Sequence, residues 1–265
     1  MRQQQKQRRQ RLFVGGFGAA LVIIVAVVLV STLTSGTTNK KTASSPSSST
    51  TSASAPTTTT TAASTTPVSV KLVQAPTKVG CPKLSGTSPH YTRFSAAPPM
   101  CINAARTYTA DMLTDLGPIT IKLAATQDPV TVNNFVFLSL YHFFDGTVFH
   151  RVVTGFVDQG GDPTGTGSGG PGYSFNGGVP KSANVYTAGA LAMANSGSPA
   201  SDGSQFFIVV GKGGAELPKP PNYSYFGQVT GGMSVVNKIN ADGSQSEAGT
   251  PKVLHRVIKV TISES

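Results

Sequence analysis

The chain is poor in the side chains that build metal centres and activated nucleophiles. It has four histidines and two cysteines among 265 residues. His90, His142 and His255 are scattered without metal-ligand spacing, and two thiols alone are too few ligands for a structural metal. The sequence contains no G-x-S-x-G elbow and no G-x-x-x-x-G-K-[ST] loop, which removes two common sources of enzymatic function. Residues 165–170 formally fit G-x-G-x-x-G, but Pro171-Gly172 follows where a helix should open, so the stretch reads as a loop and not as a nucleotide site. Acidic residues are scarce too, 11 against 21 Lys and Arg, for a formal net charge of +10. Seven of the basic residues (Arg2, Lys6, Arg8, Arg9, Arg11, Lys40 and Lys41) precede position 42, leaving about +3 for the rest of the chain. That value is ordinary for a soluble domain, so no nucleic-acid partner is expected; nothing in the motifs suggests a cofactor.

What the N-terminus has in abundance is apolar side chains. Residues 12–30 are uncharged and mostly apolar, and as a helix they would span about 28 Å, close to the ~30 Å hydrocarbon core of a bilayer. The basic residues before them predict a cytoplasmic N-terminus (1–11), a single-pass transmembrane signal-anchor (12–30) in the cell membrane, and export of everything downstream. A cleaved signal peptide is the competing reading. Its apolar region would be longer than the usual ~7–15 residues, and no clear A-x-A site follows. Residues 31–67 are rich in Ser, Thr and Pro. From Thr42 to Pro67, eighteen of twenty-six residues are Ser or Thr and none is charged. Such a segment has almost nothing to bury against the entropy of ordering, and it reads as a disordered stalk. Residues 68–106 form an extension that holds both cysteines. An even count in an exported chain predicts a Cys81–Cys101 disulfide.

A compact domain is expected over 107–265. Strands are predicted at Tyr108–Thr114 and Ile119–Leu123, joined through Asp115-Leu116-Gly117-Pro118. Asp128-Pro129 gives a helix start, with Asp as N-cap and Pro at the first position, and Val132, Phe135, Val136, Ser139 and Leu140 follow at helical spacing. Short apolar runs separated by Gly-rich loops then predict strands at Val148–Val153, Phe156–Gln159, Gly189–Ala194, Gln205–Val210 and Tyr225–Val229. A second helix is expected at Met233–Ile239 and a last strand at Val257–Ile262. Many short strands with two helices point to an antiparallel sheet or barrel with helices at its ends.

Three segments carry most of the functional information: FHRVVTGFVDQGGD (149–162), GALAMANSG (189–197) and DGSQFFIVV (202–210). With Asp162–Gly167, Gly169–Tyr173 and Tyr225–Val229, they closely resemble the cyclophilin family of peptidyl-prolyl cis–trans isomerases, in its bacterial membrane-anchored form. The resemblance covers about 150 residues, from near Tyr108 to the end. It implies a mainly β fold, an eight-stranded antiparallel barrel capped by two helices, with a substrate groove on its outer face. The family's catalytic arginine falls on Arg151. Its proline pocket falls on Phe156, Val157, Phe207 and Leu217, with Ala194 on the groove floor and Tyr223 at the rim. Gln159, Asn195 (mainly through its main chain) and Gln205 would hold the substrate backbone. His150, next to Arg151 on a strand, would point to the opposite face and act structurally.

Those residue types suit the chemistry. Rotation about an amide C–N bond meets a barrier of ~18–20 kcal/mol, because nitrogen shares its lone pair with the carbonyl. X–Pro is the case in which both isomers are populated and uncatalysed exchange is slow. A catalyst therefore needs a donor aimed at the prolyl nitrogen and a pocket that grips the ring. Arg supplies a permanent charge on a rigid fork of donors.

The sequence also departs from the family. Val157 stands where Met is common, Tyr223 where many members have His, and Ser196 where Ala is usual. The absent tryptophan argues against cyclosporin binding. The expected partners are proline-containing polypeptides and, through residues 12–30, the membrane. A non-catalytic proline-peptide binding module or chaperone, and a structural envelope protein, are the competing readings. Intact Arg151, Phe156, Gln159 and Phe207 favour an enzyme.

Overall fold

A computed structural model of the chain describes residues 69–265. The expected cytoplasmic segment, span and stalk at 1–67 lie outside the described residues. Among the described residues no helix is long and apolar enough to cross a membrane.

The elements follow from local sequence. In β1 (Tyr108–Thr114) and β2 (Gly117–Leu123) buried residues alternate with more exposed ones, the two-residue period of a sheet with one covered face. Their turn is closed by Thr114, whose hydroxyl donates to the Gly117 carbonyl at 2.7 Å and accepts the Leu116 amide at 3.2 Å. Helix α1 (Pro129–Leu140) starts as the sequence predicts: Asp128 accepts the Thr131 amide at 3.0 Å and Pro129 opens the first turn. Strands β3 (Arg151–Val153), β4 (Val157–Gly160), β5 (Ala190–Met193), β6 (Phe206–Val209) and β7 (Tyr225–Gly231) come next, then α2 (Met233–Ala241) and β8 (Val257–Glu264).

The strands form one eight-stranded antiparallel sheet in the order β3-β4-β6-β5-β7-β2-β1-β8. Its two edges do not share a continuous ladder. They meet through the segment before β3, where Val148 bridges Arg256, the Phe149 amide donates to the His255 carbonyl at 2.9 Å and the Val257 amide to the Thr147 carbonyl at 2.8 Å. The strand expected from Val148 is therefore confined to Arg151–Val153, with Val148 and Phe149 spent on this seam. Three 3₁₀ turns, at Ala183–Val185, Pro199–Ser201 and Gly213–Glu216, have no counterpart in the sequence-based expectations.

Every residue of β5 and β6 is buried, so their apolar runs serve two faces at once. Leu191, Met193, Phe206 and Ile208 join the main core with α1 and α2. Ala190, Ala192, Phe207 and Val209 turn the other way and build a second apolar cluster with Val157, Tyr186 and Leu217. That second cluster is the floor on which the site stands.

The extension belongs to the main core as well. Phe94 is 1% exposed and packs on Phe137 (ring centroids 5.1 Å apart) and on Tyr141 (5.6 Å). Ala75 and Ile102 are buried in the same cluster. Cys81 and Cys101 form the expected disulfide, with Cα atoms 5.3 Å apart. Asn133 on α1 fixes the nearby chain by accepting the Cys101 amide at 2.7 Å and donating to the Pro99 carbonyl at 2.9 Å.

Candidate active site

Register brings the polar and apolar parts of the site into one row. Arg151 on β3 stands opposite Gln159 on β4, Gln159 opposite Phe207 on β6, and Phe207 opposite Ala192 on β5. Directly paired residues of an antiparallel sheet point to the same side, so this row is built into the strand pairing.

The Arg151 guanidinium is held from two sides. Its Nε and Nη2 donate to the Glu247 carbonyl at 3.1 and 3.0 Å, and Nη1 donates to Gln159 Oε1 at 3.3 Å. Three of the five N–H donors are thus used, and each terminal nitrogen keeps one free. The loop carrying Glu247 can come this close because of Gly249 (φ +64°), where a Cβ would press on Arg151 Cγ at 2.7 Å. Burial draws the arginine pKa down, partly opposed by Tyr223 and Glu247; the group remains a cation at any physiological pH.

From Arg151 the polar chain continues outward. Gln159 Nε2 donates to Gln205 Oε1 at 3.1 Å, and Gln205 Nε2 donates to the carbonyls of Gly167 and Gly169, both at 2.9 Å. The Gly-rich loop is itself tied to Asp162, whose carboxylate accepts the amides of Thr164, Thr166, Gly167 and Gly169 at 2.7 to 3.1 Å. Burial alone would raise this carboxyl, but those donors outweigh it and hold the pKa below the usual value. The same bonds consume the amides that a phosphate-binding loop would present, consistent with reading 165–170 as a plain loop.

Beside the arginine lies a cavity of about 240 Å³. Phe156, Val157, Phe207, Leu217 and Tyr223 supply its apolar lining, with Ala194, Asn195 and Gln159 on the polar side. Phe207 is 4% exposed and meets the Tyr223 ring edge-on at 5.2 Å. The volume falls below the ~300–1,000 Å³ of pockets for drug-sized ligands, so it suits a single ring or side chain. Nine of the ten expected site residues converge here. The tenth, Gln205, lines the adjoining cavity of about 420 Å³, which shares Gln159, Ala194 and Asn195 with the first. The Asn195 side chain is engaged locally, donating to the Asn222 carbonyl at 2.9 Å and accepting the Gly197 amide at 3.0 Å. His150 packs under the Gly-rich loop, 3.6 Å from where a Cβ on Gly167 would lie, and is not among the residues lining the pocket.

Sequence reasoning missed three contributors. Glu247 acts through its carbonyl, which no side-chain pattern betrays. Asp162 acts through loop amides. Tyr186 donates its hydroxyl to the Tyr223 carbonyl at 2.6 Å and so fixes the rim.

A cation fixed beside a small, largely apolar pocket, on an eight-stranded antiparallel sheet whose edges are bridged, is an arrangement suited to holding an apolar ring next to hydrogen-bond donors. Comparison with known proteins gives that arrangement its family. The model of the cyclophilin type peptidyl-prolyl cis-trans isomerases matches residues 109–262, and the chain belongs to that family. It is 38% identical over 150 residues to peptidyl-prolyl cis-trans isomerase CYP18-2 of Arabidopsis thaliana, covering 54% of this chain and 85% of the relative. It is 47% identical over 121 residues to peptidyl-prolyl cis-trans isomerase A of Mycobacterium tuberculosis, covering 40% of this chain and 66% of the relative. Among solved structures, a cyclophilin-type isomerase of Cryptosporidium parvum superposes with a TM-score of 0.53 at 29% identity, covering 60% of this chain and 99% of its own. The same parasite protein has also been crystallised in the presence of the dipeptide Ala-Pro. The chain is therefore an isomerase of X–Pro bonds.

Proposed function

We propose that Arg151 is the catalytic residue of this isomerase and that its substrates are exported or surface polypeptides. The observation that carries the first part is the row Arg151–Gln159–Phe207, which sets free guanidinium N–H groups beside a small, largely apolar pocket. A proline ring in that pocket leaves the preceding carbonyl free to swing. A donor reaching the prolyl nitrogen as it pyramidalises localises the lone pair and weakens the C–N double-bond character. Phe156, Val157, Phe207 and Leu217 hold the ring, Tyr223 closes the rim, and Gln159, Ala194, Asn195 and Gln205 receive the flanking backbone. Gln159 also positions Arg151.

The location rests on the sequence and on the disulfide. Residues 12–30 serve as the membrane anchor, residues 31–67 as a stalk, and the isomerase domain stands outside the cytoplasm. A Cys81–Cys101 bridge supports this, since disulfides persist in oxidising compartments.

The full-length chain should accelerate cis–trans exchange in a short X–Pro peptide. Arg151→Ala should lower kcat/KM at least tenfold, a loss of ~1.4 kcal/mol of transition-state stabilisation, with an unchanged circular dichroism spectrum. Equal rates for the two proteins would rule out the arginine mechanism. An inactive wild-type protein that still bound proline peptides would point to a binding module. Protease added to intact cells should cleave within 31–67 and release the domain, whereas complete protection would refute an external location.

A further inference from the structure

Residues 69–106 lie outside the family match at 109–262, yet three of them, Leu72, Thr92 and Arg93, wall a further cavity of about 670 Å³. Its other side is the Gly-rich loop, including Thr164, Thr166 and Ser168. This cavity shares Ser168, Gly169, Gly170, Tyr173 and Ser174 with the 420 Å³ cavity, which in turn shares Gln159, Ala194 and Asn195 with the pocket beside Arg151. The three cavities therefore adjoin in series, from the pocket beside Arg151, past the Gly-rich loop, to the extension.

Among the described residues Arg93 is the one charged residue lining the outer cavity; its polar neighbours there carry hydroxyls. The carboxylate of Asp162 inside the loop is already occupied by four loop amides. Arg93 is exposed and takes part in no ion pair among the described residues. Its mounting is rigid. Thr92 (0% exposed) and Phe94 (1%) are buried on either side, the Arg93 amide donates to the Val73 carbonyl at 3.1 Å, and the Phe94 amide donates to the Pro171 carbonyl at 2.7 Å. Gly172 (φ +95°) permits the contact: a Cβ there would meet the Phe94 carbonyl at 2.5 Å and Arg93 Cγ at 3.1 Å.

We propose that the extension lengthens the substrate groove and that Arg93 selects an acidic side chain several residues from the isomerised proline. The proposal rests on proline binding beside Arg151. An extended polypeptide advances ~3.3 Å per residue, and the whole 420 Å³ cavity lies between the pocket and the cavity that Arg93 lines, so Arg93 is placed to meet residues remote from the proline in a longer chain. A cation with no ion-pair partner among the described residues, beside a hydroxyl-lined cavity, matches a carboxylate. Because the site is open to water, the preference is modest and screened by salt.

The test uses the full-length chain, one short X–Pro tetrapeptide, and longer single-proline peptides carrying Glu or Lys stepped through four positions on either side of the proline. At one of these positions the Glu peptide should exceed the Lys peptide in kcat/KM by about two- to fivefold at low ionic strength. The ratio should fall towards one in 0.5 M salt, vanish in Arg93→Gln and invert in Arg93→Glu. Equal values for Glu and Lys at every position would overturn the proposal, and so would a preference that neither substitution changes. Failure of the wild-type chain to turn over the tetrapeptide would count against the isomerase site itself. In that case fluorescence anisotropy with the same Glu and Lys peptides still decides whether Arg93 selects charge.

Discussion

Asp158 on β4 is a carboxylic acid in surroundings that disfavour its charge. It is 0% exposed; Oδ1 accepts Asn240 Nδ2 at 2.7 Å, while Oδ2 has no hydrogen-bond partner among the described residues. Burial pushes its pKa up to about 7, against weaker lowering by Asn240 and His255. The folded state therefore holds this proton over a range in which the unfolded chain has released it. The associated stability is full below the unfolded value near 3.8 and is lost as pH rises to about 7. Asp202, raised to about 6 mainly by burial, acts in the same sense over a narrower window. His150, lowered mainly by burial, acts in the opposite sense below its usual value. The difference between wild type and Asp158→Asn isolates Asp158. Urea titrations at successive pH values should show wild type losing stability relative to the variant between pH 4 and 7, by no more than ~1.4 kcal/mol per pH unit. A pH-independent difference would mean that Asp158 ionises freely.

At the scale of elements, α1 shows what the sequence reveals and what it hides. Its start is written in Asp128-Pro129, because capping is local chemistry. Its packing is not. The spacing of Val132, Phe135, Val136, Ser139 and Leu140 predicts one covered face, yet Thr131 to Leu140 are all buried. Part of the outer face is covered from far upstream, by Phe94 on Phe137 and by Pro99 and Cys101 on Asn133, in a segment without regular secondary structure, so no periodicity could announce it. Phe94→Ala removes a large buried side chain packed against both Phe137 and Tyr141 and should cost ~3–5 kcal/mol of unfolding free energy. Val130→Ala at the exposed start of the same helix, 43% exposed, should stay within ~0.5 kcal/mol. A Phe94→Ala loss under 1 kcal/mol in urea denaturation would show that the extension does not press on the helix. The strands divide in the same way. Tyr108–Thr114 is legible residue for residue from alternation, whereas β3 is short because Val148 and Phe149 close the barrel seam, a demand set by residues more than a hundred positions away.

At the scale of the whole molecule, the site was more legible than the chain around it. Taken singly, Arg151 would read as a surface residue and Phe207 as core; the resemblance of their strings to the cyclophilin family is what singles them out with Gln159, and the register brings the three together. The groups that hold them in place act through backbone, as the Glu247 carbonyl does, and backbone leaves no signature in a sequence. The extension is the larger omission. The sequence marks off 68–106 as an appendage to a domain at 107–265. In the structure Ala75, Phe94 and Ile102 lie in the same buried cluster as Met112, Ile121 and Phe226. Shared apolar burial couples segments more strongly than chain order does, so the two should unfold together. Native-state hydrogen exchange should find the amides of Thr92 and Phe94, bonded to Val73 and Pro171 at 2.9 and 2.7 Å, opening at the same free energy as amides in β1 and β2. The amide of Gly197, held at 3.0 Å by an exposed side-chain bond, should exchange orders of magnitude faster. Opening of Thr92 and Phe94 several kcal/mol below β1 would make the extension a separate unit, and the wall that Arg93 occupies would then be one that comes and goes.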